Sequence, residues 1–494
     1  MIGTPASENQ PLCFVLMPFG SKPDPAGGPD IDFNRIYEKA IKPGIQAADM
    51  FPVRADEEKL GGIIHKAMFE RLLICEFAVA DLTTGNPNVM YELGIRHAAR
   101  PRTTLTIFAE SSPLPFDVKP LRTQPYRLGA ANEFPDDSAE ELRQCVTGHL
   151  SELKAPAVAQ TFADSPLFQL ISRWNPQPLT ADRADGFSQD KVKATEELKA
   201  RLRRIGRAGA DTSQRDSLLG ELAEIQRDVL AAGDAVDVGV FAELMLAHRA
   251  LEDWSGMVEV FEAMPEALQQ QTPIQQQLAF AYNRRAEDTK QADDKRRAQD
   301  RAAALDILQQ LEDSHGPNPE TSGLLGRIYK SQWLTAVQAQ DARRSRQFLA
   351  KAVDAYRRGF EADWREVYPG VNAVTLLDVQ GDKDALAAKE RLLPVVRFAA
   401  EQKLRALRPT YWDHATLLEV AVLGDDTETA DEVLNDALAA SSESWQLKST
   451  AGNLRIIERV RAERGEDVAW IGGLIEQLET AAGMESAAGP ASGR

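Results

Sequence analysis

Residues 81–100 read DLTTGNPNVMYELGIRHAAR and form a turn from a short apolar run into a helix. Asp81 closes the apolar run. Asn86 then precedes Pro87, which is typical of a helix start because Asn caps free N–H groups and Pro suits the first helical position. Four residues recur at helical spacing, and we expect this stripe to pack on a sheet: Met90, Leu93, Gly94 and His97. The stretch therefore predicts a strand followed directly by an amphipathic helix.

The same alternation continues on both sides of this turn, over residues 12–128. Five apolar runs are typical of short buried strands: LCFVLM, MFPV, EFAVAD, TTLTIFA and QPYRL. Three helical patterns lie between them: DFNRIYEKAIKPGIQAA, GGIIHKAMFERLLIC and NPNVMYELGIRHAAR. Strands that alternate with helices predict an α/β domain with a parallel sheet, and five strands favour a flavodoxin-like order.

The residues from about 188 onward show no strand pattern and predict an all-α region. Two charged helices are expected at roughly 189–208 and 213–232, followed by helix pairs whose first helices start near residues 238, 273, 319, 371, 410 and 443. These intervals of roughly 33 to 52 residues compare with about 34 in tetratricopeptide repeats. We therefore expect a tetratricopeptide-like α-solenoid, and a compact helical bundle of no repeat family is the alternative.

One of these pairs alternates small and large side chains, as stacked helices require. Gly326 and Tyr329 lie on its first helix, and Ala352 and Tyr356 lie on its second. This pattern predicts close packing between the two helices.

The domain limits follow from composition. We assign residues 1–154 to the α/β domain and residues 188–494 to the helical region. Residues 155–187 are rich in Pro and Asp, and this composition predicts a linker.

Charge and cysteine content limit the classes of partner. The net charge is −18, with 14 basic and 15 acidic residues in 1–130 against 43 and 60 in the remainder. A surface this acidic repels phosphate backbones, and we therefore expect that no nucleic acid binds to it. We expect instead a protein partner that carries a basic patch. Neither a membrane span nor a signal peptide is predicted, and three cysteines without metal spacing indicate a cytoplasmic protein without a bound metal.

Polar side chains concentrate at the predicted carboxyl edge of the sheet, where ligands bind in folds of this kind. The candidate ligand-binding residues are Phe19, Gly20, Asp56, Asp81, Asn86, Asn88 and Tyr91. Glu92 is the candidate reactive carboxylate, because Asn88 lies one turn away and a helix N-terminus favours negative charge. The alternative is that Glu92 is a solvated helix residue and that Asp81 only caps a turn. His65 and His97 are expected to be structural.

These residues carry a family resemblance. The loop MPFG at 17–20, Asp81 and the segment NPNVMYELG resemble the nucleoside 2-deoxyribosyltransferase-like and TIR-like group of bacterial proteins. The resemblance implies that Glu92 attacks the anomeric carbon of a nucleoside, or supports cleavage of the nicotinamide–ribose bond of NAD, while Asp81 holds the base or sugar. Transferases usually have a small residue and Thr where this chain has Asn88 and Val89, so deoxyribosyl transfer itself is not implied.

The helical region resembles the tetratricopeptide-like TRAF-binding regulatory module of the apoptosis-signal-regulating kinases. The resemblance covers roughly residues 235–400 and is carried by three segments: GRIYK at 326–330, AVDAYRRGF, and PGVNAVTLL at 369–377. No kinase signature occurs in the sequence, so the resemblance implies only the regulatory module.

Two functions follow from these resemblances. The first is a signalling or defence effector, an N-glycosidase that cleaves NAD or a related nucleotide or nucleoside through Glu92 under control of the helical region. The second is a non-catalytic module that senses a nucleotide and relays its state to a protein partner. Neither needs a cofactor, since the nucleotide is substrate or ligand, and association into a homo-oligomer stays open. A scaffold with a degenerate pocket is the third alternative.

Overall fold

A computed structural model describes most of the chain. The described residues are 10–25, 28–54, 64–119, 121–155, 163–171, 173–176, 189–209, 212–232, 236–288, 293–405, 409–441 and 444–483. The chain divides into two compact units, Met1–Ile274 and Gln275–Arg494. The predicted linker at 155–187 and the predicted domain limits stay predictions.

The first unit is built on a five-stranded parallel sheet. Its strands are β1 (Leu12–Leu16), β2 (Phe51–Arg54), β3 (Phe77–Asp81), β4 (Thr104–Ala109) and β5 (Gln124–Tyr126). Their spatial order is β2-β1-β3-β4-β5, and each neighbouring pair is parallel. The flavodoxin-like order expected from the sequence is therefore confirmed. A short antiparallel ribbon, Ser21–Lys22 with Ile31–Asp32, was not predicted.

Helices cover both faces of this sheet. The first are α1 (Phe33–Ile36), a π-helical segment (Tyr37–Ile41), α2 (Lys42–Ala47), α3 (Ile64–Ile74), α4 (Pro87–Ala99) and α5 (Asp136–Lys154). Successive side chains of a strand point to opposite faces, and in β1 Cys13 and Val15 enter one core while Phe14 and Leu16 enter the other. The first core includes residues of α1, α2 and α5, and the second includes residues of α3 and α4.

The first unit also contains further helices after the sheet. They are α6 (Pro166–Leu170), α7 (Gln189–Ala208), α8 (Arg215–Ala232), α9 (Val238–Ala250), α10 (Trp254–Ala263) and α11 (Glu266–Gln269). A buried ion network joins α7 and α9 to α3. Arg71 pairs with Glu196 at 2.8 Å and with Asp237 at 3.1 Å, and Lys199 pairs with Asp237 at 3.1 Å. Because breaking one partner leaves a buried charge unpaired, this network holds α7 and α9 against the α/β layer.

The second unit consists of helix pairs. Its helices are α12 (Thr272–Glu287), α13 (Asp294–His315), α14 (Pro319–Gln338), α15 (Ala342–Ala362), α16 (Val367–Gln380), α17 (Lys383–Leu404), α18 (Tyr411–Leu423), α19 (Thr427–Ala440), α20 (Ser444–Glu463) and α21 (Ala469–Ala481). The expected first helices near 238, 273, 319, 371, 410 and 443 are confirmed by α9, α12, α14, α16, α18 and α20. In the described residues beyond Tyr126, the chain contains helices and no strand.

The alternation of small and large residues in α14 and α15 has its expected consequence. A Cβ atom added at Gly326 would lie 2.6 Å from the Tyr356 ring, so only glycine lets the two helices approach this closely. Tyr356 is fully buried in the same core as Tyr329 and Ala352.

Among the helices of the described residues, none combines the length and apolar character that a membrane crossing requires.

Gly326→Ala is expected to destabilise α14 and α15 by about 1–3 kcal/mol, because the new methyl group overpacks a core that cannot give way. Hydrogen exchange of amides in α14 and α15 measures this local free energy of opening. The matched control is Gly452→Ala in α20, where an added Cβ meets nothing within 4 Å. This substitution should stabilise α20 by about 0.4–1 kcal/mol, because alanine restricts the unfolded chain more than glycine does. Equal effects of the two substitutions would contradict the close approach.

Candidate functional site

The loop after β1 carries two predicted site residues, Phe19 and Gly20. Gly20 has a φ of +66°, a conformation that favours glycine. Its backbone N–H donates to Asn34 Oδ1 at 3.3 Å, and its carbonyl accepts from the Phe33 N–H at 3.0 Å. These bonds fix the loop against the start of α1, at the carboxyl end of β1.

Asp81 lies at the end of β3, as predicted, but protein encloses its side chain. It is fully buried, and its carboxylate accepts from the Thr83 N–H and from the Tyr126 hydroxyl, both at 3.0 Å. Thr83 Oγ1 lies 2.9 Å from the Tyr126 hydroxyl oxygen. Burial raises the pKa of Asp81 to about 6. The carboxylate therefore links β3 to β5 in this arrangement.

Helix α4 begins as predicted, because the Asn86 side chain accepts from the N–H groups of Asn88 and Val89. The other predicted residues of this helix face outward. Asn88 is exposed, and Tyr91 is 62% exposed with its ring edge-to-face against Phe69. Glu92 is half-buried and interacts within the protein.

The buried face of α4 differs from the predicted stripe. The buried residues are Val89, Leu93 and Arg96, whereas Gly94 is exposed and Met90 and His97 are half-buried. The predicted stripe did not include Arg96, since a charged side chain normally faces water. His97 was expected to be structural. Its burial, and to a lesser extent the nearby charge of Arg96, lower the pKa of this histidine to about 4. Asp56 lies outside the described residues, and His65 lies in α3.

Arg54, the last residue of β2, is a site residue that the sequence analysis missed. Its Cζ lies 4.0 Å from the centre of the Phe19 ring and 4.7 Å from that of Tyr37. Its Nη2 donates to the Pro18 carbonyl at 3.2 Å and to Asn34 Oδ1 at 2.9 Å. Its Nε is buried without a hydrogen-bond acceptor among the described residues. Burial lowers the pKa of Arg54 to about 10, so the guanidinium keeps its charge at neutral pH.

Arg54 lines a cleft of about 910 Å³ within the first unit. Residues of β2, of the helical segment 33–47, and of α7 and α9 form its walls. Two of its cations are neutralised, because Lys42 pairs with Glu38 at 2.9 Å and Arg203 pairs with Glu243 at 2.7 Å. In the described part of the chain, no carboxylate forms such an ion pair with Arg54. The cleft therefore offers a fixed positive charge.

The structure divides the predicted site residues between two places. Phe19 lines the Arg54 cleft, and Gly20 is hydrogen-bonded to Asn34, which lines it too. Asp81, Asn86, Asn88, Tyr91 and Glu92 do not line this cleft. Arg54 could have been found from the sequence, because it lies at the end of a predicted strand. The sequence analysis chose only Asp56 from that segment as a candidate site residue. The described residues contain no group of His, Cys, Asp and Glu suited to hold a metal ion.

Comparison with known proteins identifies the family. The profile of the MAP3K TRAFs-binding domain matches residues 89–470, and the chain belongs to this family. It is similar to mitogen-activated protein kinase kinase kinase nsy-1 of Caenorhabditis elegans, with 25% identity over 442 residues, which cover 87% of this chain and 28% of that protein. It is also similar to mitogen-activated protein kinase kinase kinase 15 of Mus musculus, with 24% identity over 408 residues, 80% of this chain and 29% of that protein. The chain thus spans less than a third of the length of these relatives.

Asp81→Asn is expected to change how stability depends on pH. Folding raises the pKa of this carboxyl from 3.8 to about 6, so the folded state binds the proton more tightly. The stabilisation from that proton is complete below pH 4 and is lost as pH rises through 6. Relative to the wild type, the asparagine variant should therefore gain about 2 kcal/mol between pH 4 and pH 7.

Hydrogen exchange of β3 amides over this pH range measures the difference between the two proteins. Asp137→Asn, at an exposed position of α5, is the matched control and should leave the wild-type curve unchanged. Parallel curves for Asp81→Asn and wild type would show that the buried carboxyl does not titrate as described.

Proposed function

We propose that this chain is a non-catalytic regulatory module of signalling. Its helical region binds a protein partner, and its α/β part senses a nucleotide. The observation that carries the proposal is a set of exposed aromatic side chains, three of them at equivalent positions of successive helix pairs, in a chain of the MAP3K TRAFs-binding domain family.

The aromatic ridge comprises Trp364, Tyr368, Phe398, Trp412 and Trp445, all in the second unit. Three of its members are the second residues of first helices: Tyr368 in α16, Trp412 in α18 and Trp445 in α20. They are 51%, 42% and 53% exposed, respectively. The ring centres of Trp412 and Trp445 lie 5.5 Å apart, and those of Trp364 and Phe398 lie 6.3 Å apart.

Such a ridge suits recognition of a folded protein. Trp and Tyr are enriched among the residues that dominate interface energies, since they bury a large area with little side-chain freedom to lose. Neighbouring exposed aromatic rings are uncommon on a surface that has no partner. A TRAF domain is the first partner to test, because the family is described by its binding to TRAFs. The acidity of residues 131–494 adds the expectation that association weakens with salt.

Sensing is favoured over turnover at the α/β part. A glycosidase needs a carboxylate that reaches the anomeric carbon of its ligand. Asp81 is enclosed by Thr83 and Tyr126, and Glu92 already interacts within the protein. Phe19 lines a cleft whose chemistry is a fixed positive charge, which serves binding. The N-glycosidase acting through Glu92 is therefore the weaker proposal.

The double variant Trp412→Ala/Trp445→Ala is expected to weaken TRAF-domain binding by about thirtyfold or more, because two central aromatic contacts are lost. The measurement is surface plasmon resonance of a purified TRAF domain over the immobilised full chain. Phe116→Ala, which removes an 87% exposed ring of the first unit, is the matched control and should bind like wild type. If wild type does not bind the TRAF domain, or if the double variant binds equally well, the proposed surface is wrong.

Glu92→Gln is expected to bind NAD and nucleosides with wild-type affinity, and neither protein should release a free base from them. Chromatography of the incubated nucleotides measures base release, and calorimetry measures affinity. Release by wild type that falls about a hundredfold in Glu92→Gln would instead establish the glycosidase.

A further inference from the structure

Arg54, the half-buried cation of this cleft, forms no ion pair with a carboxylate among the described residues, and the charges of Glu38 and Asp32 act on it only from farther away. A buried guanidinium is costly unless an anion or hydrogen-bond acceptors compensate it. The two acceptors described for Arg54 are both neutral, Pro18 O and Asn34 Oδ1, and both receive from Nη2. The buried Nε donates to no described acceptor. Within the described residues, neutral groups thus hold the guanidinium in position, and no carboxylate forms an ion pair with it.

The surroundings of Arg54 fix its direction. Phe19 and Tyr37 both contact the guanidinium through their rings, which restrains the orientation of its plane. Asn34 Oδ1 accepts from the Gly20 N–H as well as from Arg54, so the Asn34 amide nitrogen is left to donate elsewhere. Asn34 also lines the cleft, so a second fixed donor stands beside the cation.

The opposite wall adds a further cation. Arg207 on α7 lines the cleft and is exposed, and its Nε donates to the Arg203 carbonyl at 3.4 Å. Glu197, exposed on the same helix, opposes an anion at this wall. The other lining carboxylates, Glu38, Glu196 and Glu243, are already paired with Lys42, Arg71 and Arg203. Among the described lining residues, Arg54 and Arg207 are thus the arginines for which no ion pair is found, and they lie on facing walls.

We infer that this cleft binds the phosphate groups of a small phosphorylated ligand, with Arg54 and Asn34 as the donors. The inference rests on the nucleotide-sensing part of the proposed function and names the residues and the ligand group. A cleft of about 910 Å³ has room for a nucleotide, since small-ligand pockets measure about 300–1,000 Å³. A planar guanidinium matches the oxygens of a phosphate better than a point charge does.

Binding there has a structural consequence. The walls come from the sheet edge β2 on one side and from α7 and α9 on the other, so a bound phosphate contacts the α/β layer and the following helices together. Occupancy therefore stabilises the packing of α7 and α9, which the Arg71–Glu196 and Arg71–Asp237 ion pairs already hold. Binding of the ligand thereby raises the stability with which α7 and α9 pack on the α/β layer.

Calorimetry on the full chain with adenosine diphosphate, adenosine and inorganic pyrophosphate tests the inference. The diphosphate and pyrophosphate should bind, and adenosine should bind at least tenfold more weakly than the diphosphate. Arg54→Gln should weaken diphosphate and pyrophosphate binding by about tenfold or more, because a charge-assisted contact is lost, without changing adenosine binding. Arg54→Lys keeps the charge but loses the planar fork, so an intermediate affinity is expected.

Arg143→Gln on α5 is the matched control, since the side chain of this arginine is 42% exposed and pairs with Glu140 away from the cleft lining. It should bind every probe like wild type. Equal affinities for adenosine and its diphosphate, with no pyrophosphate binding, would overturn the phosphate site and leave nucleoside sensing in place. Pyrophosphate binding equal to that of the diphosphate would support the site and remove nucleotide sensing from the proposed function. Wild-type diphosphate affinity in both Arg54 variants would also overturn the assignment to Arg54, and circular dichroism confirms that each variant is folded.

Discussion

The α/β layer depends on a buried arginine. Arg96 of α4 is fully buried, and its guanidinium donates to the carbonyls of Leu72 at 2.9 Å, Cys75 at 2.6 Å and Glu76 at 2.9 Å. The last carbonyls of a helix have no partner within it, and here those at the end of α3 are satisfied by another helix. Arg100, one turn later, donates to the carbonyls of Leu73 and Ile74. A guanidinium without these acceptors would be too costly to bury, so the contact sets the positions of α3, α4 and the start of β3 together.

The burial of Arg96 also fixes which way α4 faces, and the predicted site residues consequently lie in two separate places. With Arg96 inside, Val89 and Leu93 face the sheet and Asn88 and Tyr91 face outward. Asp81 bonds to Tyr126 on β5, on the side of β3 away from β1 and β2. The described contacts of Asp81 and Asn86 therefore build the fold, since they join β3 to β5 and cap α4. Arg54, which forms no ion pair with a described carboxylate, lies at the other edge of the sheet, and this supports the proposed anion-binding cleft over a reactive carboxylate.

Periodic features were predictable, and contacts between distant segments were not. The strand runs, the Asn86 cap, the helix starts and the close packing at Gly326 all depend on residues within one helix, one strand or one helix pair. The burial of Arg96 was not predicted, because its acceptors are backbone carbonyls 20 to 24 residues earlier, which no side-chain pattern records. Arg54 was missed because Phe19 and Tyr37 identify its site only once β1 and β2 are neighbours. The ridge was missed because an aromatic residue at a helix start looks like a core residue until the helices are packed.

A second buried arginine gives the helical unit the same kind of constraint. Arg461 of α20 donates to the carbonyls of Val422 and Leu423 at the end of α18, both at 3.1 Å, and pairs with the buried Asp378 of α16 at 3.0 Å. Three first helices, α16, α18 and α20, are thus fixed to one another by one side chain. Tyr368, Trp412 and Trp445 lie at the starts of these same helices. A partner that docks on the ridge meets aromatic rings on helices whose spacing is already set. Little backbone order has to be gained on binding, so more of the contact energy appears as affinity.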